Sequence, residues 1–162
     1  MVSVRAAAPA DHAAIDRVVD SAFGRADEAA IVRAVRAEGA ARVELVAEDG
    51  GGIVGHILFS RMGTASGRLI AGLGPMAVTP GLQRGGVGKA MGQAGVAACR
   101  DLGVEAIVVL GHPAYYPRFG FSAETARTVV SPFAGRSAWM AMELRPGVLE
   151  HPIEVAYPAA FG

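Results

Sequence analysis

The chain has 162 residues, a length that suits one compact domain and is too short for two. Apolar residues make up 52% and charged residues 19%, a balance that supplies a core and excludes intrinsic disorder. Fifteen basic and fifteen acidic side chains cancel, which excludes a general nucleic-acid binder or a protein held on anionic lipid, and the longest apolar runs are too short to cross a bilayer. We therefore expect a single domain over residues 1–162 with neither nucleic acid nor membrane as a partner.

Cysteine and histidine usage indicates the cellular compartment and whether a metal site is expected. Cys99 is the one cysteine of the sequence, so no internal disulfide can form, and the N-terminus lacks the pattern of a secretory signal. A cytoplasmic location fits best, and Cys99 is expected to be a buried structural thiol. The four histidines are spread without metal-ligand spacing, so no metal site is predicted; they are His12, His56, His112 and His151.

The first elements of the chain are a strand and two helices. Residues 2–5 predict a short strand, and Pro9 with Asp11 is typical of a helix start. After a break at Gly24, apolar residues at helical spacing predict a second helix that ends at 38–39. The chain thus begins with one strand followed by a helical pair.

The pattern then changes to strands. Residues 43–47 alternate in polarity, 48–52 have turn composition and 53–59 resume as a strand, which predicts a hairpin. Residues 68–78 predict another strand, interrupted by Pro75. Because proline cannot donate a hydrogen bond to a neighbouring strand, Pro75 predicts an edge strand or a bulge.

A helix and several strands complete the chain. Apolar spacing predicts a helix over 87–102, and the aliphatic run 105–110 predicts a strand buried on both faces, as in a parallel pair. Residues 127–130 and 138–144 predict a further antiparallel pair. An exposed, proline-containing tail is expected over 146–162.

A glycine-rich loop joins the strand 68–78 to the following helix. It consists of Gln83, Arg84, Gly85, Gly86, Val87, Gly88 and Lys89. Such a loop directs unpaired backbone N–H groups and the positive end of the helix dipole at one point, and glycine lets the backbone approach a ligand closely. Two basic side chains add positive charge. We expect a phosphate or pyrophosphate to bind here.

Three phosphate-binding patterns can be compared with this loop. A P-loop needs glycine at Gln83 and serine or threonine at Ala90, and a dinucleotide fingerprint needs glycine at Met91. The pattern Gln/Arg-x-x-Gly-x-Gly/Ala after a bulged strand is matched by Gln83, Gly86 and Gly88. A nucleotide-binding α/β domain remains an alternative hypothesis.

With this loop the chain resembles the GNAT superfamily of N-acetyltransferases, and the similarity extends over most of the chain. The segment from Tyr116 to Phe121 matches the Tyr-x-x-x-Gly-Phe element of the family, and residues 108–121 are similar to its YhbS-like branch. The resemblance implies an α/β (α+β) fold. Its central sheet is mixed and mostly antiparallel, with a V-shaped splay between two parallel strands and helices on its flanks.

The resemblance also implies a co-substrate, acetyl-CoA, and the residues that bind it. Backbone amides of the loop 83–89 would hold the coenzyme A pyrophosphate. The bulged strand, through Met76, Ala77 and Val78, would bind the pantetheine arm and the acetyl carbonyl. The chain departs from the family twice, because 109–113 lacks an asparagine and 73–78 lacks a carboxylate that relatives often carry.

Acetyl transfer needs a neutral amine, a polarised carbonyl and a proton for the departing thiolate. Tyr116 holds the family position for the proton donor, and its neighbour Tyr115 is an alternative; both rings can also be simple packing residues. His112 is the favoured histidine for the base. Other candidates, acting through water, are Glu28, Asp27 and His56.

The function predicted is transfer of the acetyl group of acetyl-CoA to a primary amine of a small molecule or protein by direct attack. An alternative is a catalytically weak acetyl-CoA-binding sensor. The family implies an acceptor groove lined by 23–36 and 127–142, and a homodimer is a further expectation.

Overall fold

The structure is a computed structural model that describes residues 2–162. The strands are β1 Val2–Ala6, β2 Ala41–Asp49, β3 Gly52–Arg61, β4 Ile70–Val78, β5 Ala106–Leu110, β6 Val129–Val130, β7 Trp139–Glu143 and β8 Ile153–Glu154. Six of them form the main sheet in the order β1-β2-β3-β4-β5-β7, and β6 pairs with β8 in a small second sheet. The helices are α1 His12–Phe23, α2 Asp27–Ala37 and α3 Val87–Asp101.

The main sheet is antiparallel except for β4 and β5, which run parallel. Helix α3 covers one face, where glycines bring its backbone against the sheet; Gly95, for example, faces the ring of Phe59. Helix α1 packs on the opposite face, where Ile15 and Val19 share a cluster with Val46 of β2. The expected mixed sheet flanked by helices is confirmed.

Strands β4 and β5 separate near the middle of the sheet. They pair only from Ile70, opposite Ala106, to Leu73, opposite Val109. The β3 register shifts here, so that two residues of β4, Gly74 and Pro75, lie opposite one residue of β3. The proline therefore lies in a bulge of an interior strand, and its missing N–H is tolerated because β5 no longer pairs there. This is the V-shaped splay that the family resemblance implied.

The expected pairing of 127–130 with 138–144 is wrong. Strand β7 instead lies antiparallel beside β5, while β6 runs parallel to β8 from the tail. The physical reason is that β5 is buried and needs a partner for its second edge. Residues that each resemble a strand carry no local information about which edge they fill.

The tail after residue 146 is folded, not exposed as expected. Val148, Leu149 and Val155 are buried in a cluster with Trp139. The backbone N–H of Ala160 donates to a carboxylate oxygen of Glu38 at 2.8 Å. The tail thereby packs beside α2 and next to the splay.

None of the helices in residues 2–162 has the length and hydropathy that a bilayer span requires.

Candidate active site

A groove of about 1120 Å³ lies where β4 and β5 separate. Its walls come from the glycine loop, the splayed part of β4, the segment after β5, the α1–α2 region and the tail. The side chains that line it include Phe23, Glu28, Ile31, Met76, Val78, Arg84, Lys89, His112, Tyr115, Tyr116, Arg118, Phe133, Tyr157 and Phe161.

The glycine loop at one end of the groove is open. Its backbone turns through left-handed conformations at Arg84 (φ 68°) and Gly86 (φ 92°), the N-cap of α3. Within residues 2–162, the amides of residues 84 and 86–89 have no hydrogen-bond acceptor. The side-chain amide of Gln83 donates to the Val78 carbonyl at 3.1 Å and ties the loop to β4. Unpaired N–H groups at a helix start are suited to bind phosphate oxygens.

The bulged strand forms the floor next to this loop. The side chains of Met76 and Val78 line the groove, whereas the Ala77 side chain is buried beneath α1. Because β5 stops pairing after Leu73, backbone groups of this segment that face away from β3 have no strand partner. Those groups are available to an extended ligand arm.

The two tyrosines occupy different places. The hydroxyl of Tyr115 lies over the start of α3, 2.6 Å from where a Cβ on Gly88 would be, and the Arg118 guanidinium stacks on its ring at 4.0 Å. The Tyr116 ring lies against Gly111 and makes edge contacts with Tyr115 and Phe121. Burial raises the pKa of Tyr116 to about 12 and raises that of Tyr115 as well.

The four base candidates divide into two pairs. His112 and Glu28 line the groove, whereas Asp27 and His56 do not. His56 is fully buried: its Nε2 contacts a Glu44 oxygen at 2.7 Å, and its Nδ1 has no partner within residues 2–162. Arg25 holds the pKa of Glu28 below its usual range, so this carboxylate is ionised at neutral pH.

Some groove residues were missed in the sequence. Tyr157 and Phe161 belong to the tail, and Arg118 lies inside the Tyr-x-x-x-Gly-Phe segment without a family role. Two aromatic residues in a proline-containing tail are a weak signal of burial that could have been used. Among residues 2–162 no cluster of histidine, cysteine, aspartate or glutamate can hold a metal ion. Cys99 is buried, as expected, and burial raises its pKa to about 12.

Comparison with protein families and sequences places these features in a known group. The family described as acetyltransferase (GNAT) domain matches residues 41–123. The uncharacterized N-acetyltransferase YjhQ of Escherichia coli strain K12 is 39% identical over 116 residues, which cover 68% of this chain and 64% of YjhQ. YhbS of the same strain, also an uncharacterized N-acetyltransferase, is 32% identical over 120 residues, or 73% of this chain and 72% of YhbS.

Solved structures agree with the sequence matches over nearly the full chain. Escherichia coli YhbS in complex with CoA superposes with a TM-score of 0.90 and 28% identity, covering 99% of this chain and 91% of YhbS. A GNAT family acetyltransferase from Brucella melitensis in complex with acetyl-CoA gives 0.84 and 32% identity, covering 100% and 99%. The splayed sheet, the open glycine loop and these matches together establish that the chain belongs to the GNAT family of acetyltransferases.

Proposed function

We propose that the chain is an N-acetyltransferase that moves the acetyl group of acetyl-CoA to a primary amine by direct attack. The observation that carries the proposal is the set of unpaired amides at the start of α3, which lies beside the gap between β4 and β5. Two relatives with the same fold hold CoA or acetyl-CoA. Their ligands support the same co-substrate here.

In this proposal the amides of residues 84 and 86–89 hold the pyrophosphate, and Arg84 and Lys89 add positive charge. Both basic side chains are exposed at the groove, and neither forms an ion pair with a described residue. The pantetheine arm extends along Met76, Ala77 and Val78. Backbone N–H groups of this strand polarise the acetyl carbonyl.

The chemical step joins the amine nitrogen to the acetyl carbon and breaks the carbon–sulfur bond. Tyr116 donates its proton to the departing thiolate, and the proton lost by the amine passes to His112 or to water. A pKa of about 12 makes Tyr116 a weaker acid than a free phenol. The same apolar surroundings also raise the pKa of the coenzyme A thiol, because burial disfavours every anion. The difference between the pKa values of Tyr116 and the thiol is therefore limited.

A second candidate function is an acetyl-CoA sensor with little transfer activity. The absence from 73–78 of the carboxylate that relatives often carry favours the sensor, because the chain then lacks a base on this strand. His112 is the strongest base candidate left near the tyrosines. Thiol release from acetyl-CoA in the presence of a panel of amines separates the two. Turnover with at least one amine supports the transferase. Tight CoA binding without turnover on any amine supports the sensor and overturns the transferase.

A cytoplasmic setting and a homodimer belong to the same proposal. Support for the cytoplasm comes from the single, buried Cys99. Support for the dimer is the family resemblance alone. Size-exclusion chromatography with light scattering tests the dimer, and a monomer at all concentrations would remove it.

A further inference from the structure

One part of the groove is lined by side chains that belong to neither the glycine loop, the splayed part of β4 nor the segment after β5. We call it the acceptor pocket, and its side chains are Phe23, Glu28, Ile31, Phe133, Tyr157 and Phe161. All six lie outside the family match to residues 41–123. The pocket is therefore built from parts of the chain that the family match does not describe.

Aromatic rings form one wall of the acceptor pocket. The ring centroids of Phe133 and Tyr157 lie 6.0 Å apart, and those of Tyr157 and Phe161 lie 5.0 Å apart. Trp139 is buried behind them, 5.8 Å from Phe133. The hydrogen bond from Ala160 to Glu38 fixes this wall against α2. The wall is a continuous aromatic surface held in place by contacts within the chain.

Glu28 is the one charged residue among the six side chains of the acceptor pocket. Glu28 is the only acidic residue among the described residues that line the groove, and its side chain is 14% exposed. Its partner Arg25 is 62% exposed and is not part of the lining. The carboxylate thus lies at the pocket while its counter-ion lies towards solvent.

The cations of the groove lie elsewhere. Arg84 and Lys89 belong to the glycine loop, and Arg118 stacks on Tyr115, whose hydroxyl lies over Gly88. Among the described residues, neither arginine nor lysine is one of the six side chains of the acceptor pocket. A substrate with a carboxylate next to its amine would place that group near Glu28, and like charges in apolar surroundings repel.

We propose that the acceptor is a small primary amine on an aromatic or apolar body without a carboxylate beside the amine, and that Glu28 binds its ammonium group. This assignment rests on the proposed acetyl transfer. The ammonium binds the Glu28 carboxylate, and the aromatic wall packs against the body. The ammonium gives one proton to solvent water before its nitrogen attacks the acetyl carbon, and the second proton leaves the nitrogen after the attack, to His112 or to water.

The first test compares matched amines. Acetylation of 2-phenylethylamine is compared with that of phenylalanine, which adds only the carboxylate, and with glucosamine, whose body is polar. We expect kcat/KM for 2-phenylethylamine to exceed that for phenylalanine by about 100-fold, because like charges are brought together. Equal rates for the two, or a preference for glucosamine or for a lysine-containing peptide, would overturn the assignment.

The second test isolates the charge. Glu28→Gln keeps the shape of the side chain, and we expect it to raise KM for 2-phenylethylamine about tenfold while KM for acetyl-CoA stays unchanged. The ratio between 2-phenylethylamine and phenylalanine should also fall, a change that a purely structural role would not produce. Glu124→Gln is the matched control, because it also removes an i,i+3 partner of an arginine, Arg127, outside the groove.

Binding distinguishes failure of this assignment from failure of the proposed transfer. Calorimetry of the CoA-loaded protein with 2-phenylethylamine should give uptake that Glu28→Gln weakens about tenfold. Uptake without any acetylation would remove the transfer but keep the pocket assignment. Acetylation of other amines, with no uptake of 2-phenylethylamine, would remove the pocket assignment and keep the transfer.

Discussion

Gly86 and Gly103 flank helix α3 with similar left-handed backbones, at φ 92° and 82°. Nothing lies within 4 Å of a Cβ added at either position. Alanine at each should cost about 1–2 kcal/mol of unfolding free energy, from backbone strain alone. Only Gly86 belongs to the glycine loop, and relief of its strain would turn the loop amides away from a bound pyrophosphate.

We therefore expect Gly86→Ala to raise the Kd for CoA about tenfold and Gly103→Ala to leave it unchanged. Calorimetric titration of both variants measures this, and urea unfolding checks that their stabilities match. An unchanged Kd in Gly86→Ala would show that the loop amides do not hold the ligand.

Removal of single hydroxyl groups tests the roles of Tyr115 and Tyr116. Tyr116→Phe should lower kcat at least about 100-fold with little change in KM for acetyl-CoA, because it removes a proton donor and keeps the ring. Tyr115→Phe is the matched control. Its hydroxyl lies over Gly88, so we expect a change in KM for acetyl-CoA and a nearly normal kcat. Steady-state kinetics that gave the reverse pattern would exchange the two roles.

At the scale of elements, helix α3 is the support for both the sheet and the tyrosine segment. A Cβ on Gly92 would lie 2.4 Å from the Phe119 ring, and one on Gly95 would lie 2.2 Å from the Phe59 ring. Phe59 belongs to β3, whereas Phe119 follows Tyr116 by three positions. The helix therefore needs glycine at both places, for two different neighbours.

Both Gly92→Ala and Gly95→Ala should lower the unfolding free energy, since overpacking of about 1–3 kcal/mol exceeds the gain of about 1 kcal/mol in helix propensity. Only Gly92→Ala should also lower kcat, because it displaces the segment that carries Tyr116. Chemical denaturation and kinetics on the two folded variants measure this. Equal kcat values would contradict the coupling of Phe119 to the tyrosine.

Local elements were predictable because their signals lie in neighbouring residues. The glycine loop is contiguous, so its spacing indicated a phosphate site. The Tyr116–Phe121 segment is contiguous too, and the family resemblance it carries implied a tyrosine at the site. The partner of β7 could not be predicted, because the free edge of β5 is about 30 positions away in sequence. The acceptor pocket joins Phe23 to Phe161, and no local pattern indicates contacts of that separation.

At the scale of the whole molecule, the half-buried carboxylate of Glu44 links stability to pH. Burial would raise the pKa of Glu44, but hydrogen bonds with His56 and Arg36 outweigh this and lower it to about 2. A lowered folded-state pKa stabilises the fold above the unfolded value of 4.5. The stabilisation is lost as the pH falls from 4.5 towards 2.

We expect the ionised Glu44 to contribute on the order of 2 kcal/mol to the free energy of unfolding after solvent screening. Urea unfolding at pH 6 and pH 3 should show a larger loss in the wild type than in Glu44→Gln, which lacks the ionisation. Glu124→Gln, at an 84% exposed position, should retain the wild-type difference. Identical pH dependence in the wild type and Glu44→Gln would contradict the assignment.

The most direct test of the whole account is calorimetric titration of the wild-type chain with CoA and, separately, with pantetheine, which lacks the pyrophosphate and the nucleoside attached to it. Since the loop amides are proposed to hold the two phosphates, CoA should bind at one site per chain, and pantetheine at least about 100-fold more weakly. Absence of CoA binding, or equal affinity for pantetheine, would contradict the account.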